Sequence, residues 1–285
     1  MQQIDLSIVI ASWNGKQILK KCLNSIFGQY YDFAYEVIVV ENGSVDGTVE
    51  LLKNSFKKVR LKINSENLGF AVANNLGIEM ARGRFILLLN QDVELEKGTL
   101  AGMLKFLEKQ TDRKIAVVAP MLKYPNGNIQ LSLRPFPTPW NVFVDALTLG
   151  TSHKKYYNHT KSQVVDQPMA SCLMINGKIL RELKGFDTNP SFFLFFNDVD
   201  LSFRISQLGF EHYYLANYVA IHRHGQSTRK WPQIARLLVW SKGLYYFLIK
   251  HYAKKRILVK FALRVEVFFI FLGRVVAETL KSIFK

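Results

Sequence analysis

Short apolar runs alternate with amphipathic stretches through roughly the first 120 residues of the chain. The apolar runs predict five strands, at residues 6–11, 35–40, 59–64, 85–89 and 115–119. The stretches between them have the period of helices, at residues 16–27, 45–56, 70–82 and 100–109. Strands that are apolar almost throughout and alternate with helices are typical of a mainly parallel sheet covered on both faces. The pattern therefore predicts an α/β, Rossmann-like fold.

In such sheets ligands bind at the carboxyl ends of the strands, so the polar residues there are candidate ligands. Ser12, Trp13 and Asn14 follow the first predicted strand without the G-x-G-x-x-G pattern of dinucleotide-binding proteins. This argues against an NAD enzyme. Trp13 fits either stacking on a nucleobase or packing at the rim of the core.

Further candidates follow the second and third predicted strands. Glu41 and Asn42 end the second strand, where a carboxylate can accept hydrogen bonds from a base or a ribose. Asp46 is predicted to cap the next helix instead. The following helix begins among polar residues, and exposed amides at a helix N-terminus suit phosphate or sugar hydroxyls. This last set comprises Asn67, Gly69, Phe70 and Asn74, and an ordinary capped helix is the alternative.

The fourth predicted strand ends in Asn90, Gln91 and Asp92. A carboxylate that an apolar strand delivers into the ligand crevice can bind Mg²⁺ or Mn²⁺ jointly with phosphate oxygens. Much later in the chain, His222 and His224 flank an arginine beside a glycine. Either histidine fits a metal ligand or a diphosphate contact, with a surface position as the alternative for His224.

Two carboxylates, Asp198 and Asp200, follow the five consecutive apolar residues 192–196. Carboxylates in such a setting are costly unless they are paired, metal-bound or catalytic. Apolar surroundings raise a carboxyl pKa toward that of a general base. The alternative is that both carboxylates stabilise a helix N-terminus through its dipole. We favour catalysis.

Basic charge is concentrated at the end of the chain. The whole sequence of 285 residues has a net charge of +16, and thirteen Lys and Arg against two Glu give +11 for residues 229–285. This asymmetry indicates an anionic partner. Four of these charged residues are spaced to share one helix face: Arg274, Glu278, Lys281 and Lys285. The longest uncharged run nearby, 267–273, is too short to span a bilayer and favours an interfacial amphipathic helix.

The composition sets the broad class and the division of the chain. An apolar fraction of 49% predicts a globular protein, and two cysteines cannot form a disulfide framework. The amino terminus lacks the pattern of a secretory signal. Residues 120–160 lack periodicity, which suits loops and an elaboration on one side of the sheet. We predict a catalytic domain at 1–230 and a basic, membrane-associating helical extension at 231–285.

Seven segments, taken in order, resemble the family 2 glycosyltransferases with the GT-A fold, and among them a bacterial rhamnosyltransferase-like branch that builds cell-surface polysaccharides. The segments are SIVIASWN from Ser7, VIVVENGSVDGT from Val37, NLGFAVANNLGI from Asn67, FILLLNQDVE from Phe85, GFD from Gly185, FNDVDLSFR around Asn197 and IHRHGQS from Ile221. Each segment is weak by itself, but seven in this order are specific.

The resemblance implies roles for residues at the matching positions. Glu41 stands where the family usually has an Asp that contacts the nucleobase, and Asn90-Gln91-Asp92 stands on the D-x-D metal motif. Asp198 stands on the general base of the Glu-Asp motif. Further implied roles follow: Asn197 and Asp200 as acceptor contacts, Asp92 and His222 as ligands of Mn²⁺ or Mg²⁺, and Ser12, Trp13, Asn14, Glu41, Asn42, Asn67, Gly69, Phe70, Asn74, Asn90 and Gln91 as donor-binding residues.

The implied activity is inverting transfer of rhamnose or another hexose from a nucleotide-diphosphate sugar to a glycan or polyprenyl-diphosphate-linked acceptor. The basic extension then predicts a cytoplasmic enzyme that is peripheral on the inner face of the membrane, where anionic lipid attracts it. Three alternatives are a catalytically inactive sugar-binding homologue, a nucleotidyltransferase and a basic nucleic-acid-binding protein. The last is disfavoured because the basic residues lie among apolar ones and no recognition motif appears.

Overall fold

The computed structural model describes residues 3–110, 114–147, 156–223, 232–253 and 257–283. The strands are β1 (Leu6–Ser12), β2 (Tyr35–Asn42), β3 (Arg60–Asn64), β4 (Phe85–Leu89), β5 (Val93–Leu95), β6 (Ile115–Lys123), β7 (Leu133–Arg134), β8 (Gln163–Val165), β9 (Gln167–Pro168), β10 (Cys172–Asn176) and β11 (Glu211–His222). The helices are α1 (Lys16–Phe27), α2 (Thr48–Ser55), α3 (Phe70–Met80), α4 (Thr99–Glu108), α5 (Pro139–Leu147), α6 (Gly177–Glu182), α7 (Asn197–Gln207), α8 (Gln233–Leu248) and α9 (Ile257–Ile283). A 3₁₀ turn at Pro190–Phe192 and a π-helical turn at Ile249–Ala253 complete the set.

The central sheet has the order β3-β2-β1-β4-β10-β6-β11-β5, and β8 pairs with β11. The pairs β1–β2, β2–β3, β1–β4 and β6–β11 are parallel. Strand β10 runs antiparallel between β4 and β6, so β4 and β6 point the same way. This confirms the predicted mainly parallel α/β sheet. It also brings the carboxyl ends of β1, β2, β4, β6 and β11 to one border of the sheet, called here the carboxyl edge.

Both faces of the sheet are buried, as the continuous apolar strands require. Successive residues of a strand point to opposite faces. Ile8 and Ile10 of β1 therefore join one core cluster and Val9 joins the other. Helix α3 lies close on the second face: a Cβ atom at Gly77 would clash with Val9 Cγ1. Close packing of this kind fixes where the loops at the carboxyl edge begin.

The region that the sequence assigns to loops, 120–160, contains more regular structure than its pattern predicts. Strand β6 continues past Pro120 to Lys123 because β11 accompanies it. A register shift between Leu215 and Val219 falls opposite Pro120, where the missing backbone N–H of proline would interrupt the ladder. Strands β7 and β9 form a separate two-stranded sheet, and α5 follows.

The C-terminal helices share a core with the segment before α7. Phe192 and Phe196 are buried with Leu244 and Phe247 of α8 and Leu263 of α9. The predicted 231–285 extension is thus packed on the catalytic half of the chain in its described part. In the described residues, no helix has both the length and the apolar composition to cross a membrane.

Some predictions fall outside the described residues. The boundary at 230/231 and His224 belong to the undescribed stretch 224–231. The same holds for the proposed charged face of the last helix, since the side chains of Arg274, Glu278 and Lys281 and the whole of Lys285 are outside the description.

Candidate functional site

The carboxyl edge gathers most of the residues singled out in the sequence. Ser12 at the end of β1 is directly opposite Glu41 at the end of β2. His222 at the end of β11 is opposite Val93, the residue after Asp92. The first and second strands, the Asn90–Asp92 loop and the end of β11 therefore meet at one border. This is where parallel α/β sheets bind ligands.

Asp92, which is partly buried, forms a pair with the buried His222. His222 Nε2 lies 3.5 Å from Asp92 Oδ1. The other ring nitrogen, Nδ1, is 2.9 Å from Gln130 Oε1. The backbone N–H of Arg223 donates to the carbonyl of Asp92 at 3.0 Å, which ties the two strand ends together. Gln130 thus fixes the ring so that Nε2 faces the carboxylate.

This pair fits a divalent cation that shares its coordination with a ligand. A carboxylate oxygen and an imidazole nitrogen face each other, and an outer partner orients the imidazole, as is usual for metal-binding histidines. Among the described residues, no group of three or more His, Cys, Asp or Glu side chains is close enough to enclose an ion. Two protein ligands plus phosphate oxygens and water are the pattern expected of Mg²⁺ at nucleotide sites.

Gln91 is held by the loop after β1. Its Oε1 accepts hydrogen bonds from Ser12 Oγ at 2.8 Å and the Trp13 N–H at 3.2 Å, and its Nε2 donates to the Trp13 carbonyl at 3.1 Å. A Cβ atom at Gly15 would clash with the side-chain amide of Gln91. Ser12 and Gln91 therefore shape the loop, while the Trp13 side chain is 41% exposed and open to a planar ligand.

Glu41 also holds its own turn. Its side chain is fully buried, and its carboxylate accepts the N–H groups of Gly43 at 3.2 Å and Ser44 at 2.8 Å. Ser44 in turn accepts the N–H of Asn14 through its hydroxyl at 2.8 Å. Asp46, predicted to cap α2, lies one position before the N-cap residue Gly47, and its carboxylate accepts the N–H of Thr48 at 3.2 Å. The loops after β1 and β2 are thus one hydrogen-bonded unit.

Asn42 and Asn67 connect this unit to the start of α3. The Asn42 side-chain amide donates to Asn67 Oδ1 at 2.9 Å, and Asn67 Oδ1 also accepts the Gly69 N–H at 2.9 Å. Gly69 has a φ of +82°, a conformation that favours glycine. The exposed amide predicted for Asn74 differs from the structure. Asn74 is 2% exposed and donates to the carbonyl of Phe70 at 2.9 Å, because it faces the interior of the helix layer.

Asp198 stands at the start of α7, two positions after a residue with unusual backbone geometry. Phe196 has a φ of +69°, which is costly for a bulky residue and sets the direction in which α7 leaves the loop. Asp198 Oδ2 accepts the N–H of Ala170 at 3.4 Å. The next residue, Ser171, accepts the N–H of Asn90 at 2.9 Å. Asp198 therefore lies at the carboxyl edge, and the backbone of Ala170 and Ser171 connects it to the Asn90–Asp92 loop.

The surroundings of Asp198 favour its protonated form. Burial raises the pKa of this carboxyl, and the N–H groups of Val199 and Ala170 and the charge of Arg134 offset only part of the effect. A carboxyl whose pKa lies above the usual range is suited to accept a proton near neutral pH. Beside it, Asn197 is 3% exposed, and neither atom of its amide has a hydrogen-bond partner among the described residues.

Asp200 does not fit the acceptor contact predicted for it. Its carboxylate is fully buried and faces away from the carboxyl edge, toward the C-terminal helices. Three cationic or imidazole groups surround it: Arg204 Nε at 2.7 Å, Lys250 Nζ at 2.5 Å and His251 Nε2 at 2.8 Å. Burial alone would raise the pKa of Asp200, but these partners outweigh burial and lower it to about 2. Residues two positions apart in an α-helix differ by about 200° around its axis, so Asp198 and Asp200 point to nearly opposite sides of α7.

Four residues of this region were missed by the sequence patterns. Gln130 and Arg134 lie in the stretch without periodicity, where no local pattern distinguishes them. Lys250 and His251 were counted with the basic extension, yet they contact the buried Asp200. A conspicuous local feature was present only for these last two, since they are adjacent polar residues directly after the apolar run 244–249.

Comparison with solved structures identifies the fold class. The mannosyltransferase PcManGT from Pyrobaculum calidifontis, in complex with GDP-Man and Mn²⁺, has a TM-score of 0.61 at 16% identity, covering 99% of this chain and 76% of that one. Staphylococcus TarS in complex with UDP-GlcNAc has a TM-score of 0.57 at 18% identity, covering 93% of this chain and 72% of that one. The fold is that of the GT-A glycosyltransferases.

The sequence then identifies the family. Residues 7–183 match the family described as Glycosyl transferase family 2, and the chain belongs to it. The N-acetylglucosaminyl-diphospho-decaprenol L-rhamnosyltransferase of Mycobacterium tuberculosis is 25% identical over 232 residues, which are 74% of each chain. Glycosyltransferase AglE of Haloferax volcanii is 34% identical over 108 residues, 34% of this chain and 36% of AglE. The protein is a glycosyltransferase.

Proposed function

We propose that the protein is an inverting, metal-dependent glycosyltransferase. It moves rhamnose or another hexose from a nucleotide-diphosphate sugar to a hydroxyl of a glycan or polyprenyl-diphosphate-linked acceptor in cell-surface polysaccharide synthesis. The observation that carries the proposal is the meeting of the Asp92–His222 pair with Asp198 at the carboxyl edge. The mycobacterial relative, whose name specifies rhamnosyl transfer to a diphospho-decaprenol acceptor, supports the donor and acceptor classes.

Asp198 is the general base. The acceptor hydroxyl must lose its proton while its oxygen attacks the anomeric carbon from the face opposite the leaving diphosphate. One carboxylate on that face is sufficient, whereas a retaining double displacement needs a second one as nucleophile. The raised pKa of Asp198 suits this proton transfer. General-base assistance is typically worth about 10²–10⁴-fold in rate.

Asp92 and His222 would hold Mn²⁺ or Mg²⁺ together with the donor diphosphate. A bound divalent cation supplies stabilisation of the charge that develops on the leaving group. The chain itself orients this site. Gln130 holds the His222 ring, and Gln91 connects the Asn90–Asp92 loop to the loop after β1 by a hydrogen bond. Around it, the amides of Asn14, Asn42, Asn67 and Asn90, and the exposed ring of Trp13, form the donor surface.

A thermal-shift panel of UDP-, dTDP- and GDP-sugars, with and without Mn²⁺, tests the donor half of the proposal. We expect one nucleotide sugar to raise the unfolding temperature only when Mn²⁺ is present, because Asp92 and His222 would hold the cation that the donor diphosphate needs. Asp92→Asn should lose this shift and Asp198→Asn should keep it. A shift that is equally large without any divalent cation would contradict metal dependence.

The anomeric configuration of the product tests the stereochemistry. NMR of the product formed from the donor identified by the panel should show the anomeric centre inverted relative to the donor. A retained configuration would show that the acceptor does not attack from the face opposite the diphosphate, and it would overturn the role given to Asp198.

The C-terminal helices also support the proposed location at an anionic membrane. Helix α9 buries one face, with Leu263, Val267 and Ile270, in the core. The opposite face is exposed and apolar as well: Ile257, Val265, Phe268, Phe269 and Leu272. Nearby α5 exposes Trp140 and Phe143. Exposed apolar surface of this extent marks an interaction site, and the net charge of +11 over 229–285 favours anionic lipid as its partner.

Sedimentation with lipid vesicles tests this surface. Deleting residues 231–285 is unsuitable, since the deletion would remove the core partners of Phe192 and Phe196. Phe268→Ser with Phe269→Ser should instead reduce binding to phosphatidylglycerol vesicles several-fold. Leu208→Ser, a change at an exposed apolar residue at the end of α7, is the matched control. Equal binding to neutral phosphatidylcholine vesicles would contradict the electrostatic part.

A further inference from the structure

A polar cleft of about 610 Å³ opens beside the proposed catalytic groups. Its lining includes Tyr124, Asn126, Asn128, Gln130, Arg134 and Met169. The rim is a tight turn after β6, in which the Tyr124 carbonyl accepts the N–H of Gly127 at 2.9 Å and the Tyr124 N–H donates to the Asn128 carbonyl at 2.8 Å. The volume is in the range of small-molecule sites.

The cleft lies between the proposed metal pair and the proposed base. On one side Gln130 contacts His222, with Gln130 Oε1 2.9 Å from His222 Nδ1. On the other side Met169 precedes Ala170, whose N–H donates to Asp198. An acceptor hydroxyl that is to lose its proton to Asp198 and attack a donor held near Asp92 must enter between these two groups. The cleft has this position.

Arg134 gives the cleft a positive charge beside Asp198. Its backbone is fixed by the pairing of β7 with β9, where Arg134 is opposite Gln167. Its side chain is exposed, and within the described part of the chain its guanidinium makes no hydrogen bond or ion pair. It is near enough to Asp198 to lower the pKa of that carboxyl. A planar guanidinium with free donors is well matched to a phosphate group.

We propose that this cleft is the acceptor site and that it takes the acceptor as a sugar phosphate, with Arg134 binding the phosphate. The side-chain amides of Asn126 and Asn128 face sugar hydroxyls, and the ring of Tyr124 packs on the sugar. Arg134 then selects acceptors that carry a phosphate or diphosphate over neutral glycans. This inference rests on the proposed function, since it assigns a substrate class to the same reaction.

The test is a calorimetric titration of the full chain with N-acetylglucosamine 1-phosphate, in the presence of the donor nucleotide and Mn²⁺. Arg134→Gln should weaken binding of this probe about tenfold or more, because charged hydrogen bonds to the phosphate are lost. Arg134→Lys should recover part of the affinity. Arg82→Gln, a change at an exposed arginine at the opposite border of the sheet, should leave the affinity unchanged.

A second variant and two further probes separate the sugar from the phosphate. Leu131→Trp places a bulky ring in the cleft and should also weaken the binding of the sugar phosphate. N-acetylglucosamine and inorganic phosphate should each bind more weakly than the combined probe. Equal affinity for inorganic phosphate, or unchanged affinity in Arg134→Gln, would overturn the acceptor cleft.

The same titrations distinguish failure of the cleft from failure of the glycosyltransferase reaction. Binding of the nucleotide sugar should be the same in Arg134→Gln as in the unaltered protein. If donor binding persists while the sugar phosphate binds equally well to every variant, the acceptor cleft is wrong and the reaction stands. If no nucleotide sugar binds to any form, the proposed function itself fails.

Discussion

Two carboxylates on the first turn of α7 face two different regions of the molecule. Asp198 points to the carboxyl edge, where only backbone N–H groups and the more distant Arg134 offset its burial, and its pKa is raised. Asp200 points to the C-terminal helices, where Arg204, Lys250 and His251 surround it, and its pKa is lowered to about 2. The same residue type is therefore held ready to take up a proton in one region and held permanently charged in the other.

The contrast teaches how the C-terminal helices serve the site. They supply the charges that anchor α7 through Asp200, and they cover Phe196, whose backbone geometry directs Asp198. The residues that fix the base are thus distant in sequence from it. Four changes test the contrast, from the largest expected effect to the smallest.

Asp198→Asn should lower the transfer rate about 10²–10⁴-fold, because the amide cannot accept the proton of the acceptor hydroxyl. The stability of the fold should stay equal or rise at neutral pH, since a carboxylate whose pKa is raised by burial costs stability when it is charged. Initial rates and thermal unfolding of the same preparation measure both. A loss of activity that is matched by a large loss of stability would assign Asp198 to structure.

Asp200→Asn should destabilise the fold by about 3–5 kcal/mol, because it leaves the Lys250 and Arg204 charges without their buried partner. Urea unfolding measures the loss. The activity of Asp200→Asn, measured at low temperature, should fall only in proportion to the folded fraction of the protein. A variant that is fully stable yet inactive would return Asp200 to the acceptor site.

Acid should lower the stability of the fold through Asp200 and the activity through Asp198. A group with a depressed folded-state pKa stabilises the fold above its unfolded pKa, so the contribution of Asp200 is present above pH 4 and is lost as the pH falls toward about 2. That loss amounts to roughly 2–3 kcal/mol. Unfolding titrations of Asp200→Asn should lack this acid step.

The rate should respond to the raised pKa of Asp198 instead. Activity requires the carboxylate, so it should decline on acidification at a pH above the usual range of an aspartate, while the fold is still intact. A pH–rate profile that stays level until the protein unfolds would show that proton transfer to Asp198 does not limit the reaction.

Asp187→Asn should have the smallest effect. Lys250 also contacts Asp187 at 2.7 Å, but both side chains are partly exposed, at 25% and 22%. Pairs open to solvent contribute little, so we expect a loss of about 0–1 kcal/mol. Thermal unfolding beside Asp200→Asn gives the ratio of the two effects. Equal losses of stability in Asp187→Asn and Asp200→Asn would mean that burial does not make one partner of Lys250 more important than the other.

Much of the donor half was predictable because its signals are local. Apolar runs and helical periods placed α1 and β4 at their observed bounds. Asp92 could be singled out because it follows a strand whose direction the fold class already fixes. Glu41 and Asp198 were found in the same way, since each lies within two residues of the end of an apolar run. The order of apolar and polar residues along such a segment determines whether one face or both faces are buried.

Contacts between distant segments were decided by the tertiary structure alone. Nothing in the neighbourhood of Gln130 in the sequence indicates that it will hold His222, and nothing near Asp200 indicates that Lys250 will neutralise it. A pattern reports which residues share a face of one element, whereas the partner across an interface depends on how two elements pack. The chain by itself thus determined the mainly parallel sheet and its carboxyl edge, and packing decided which carboxylate of α7 faces that edge and which one is neutralised by the C-terminal helices.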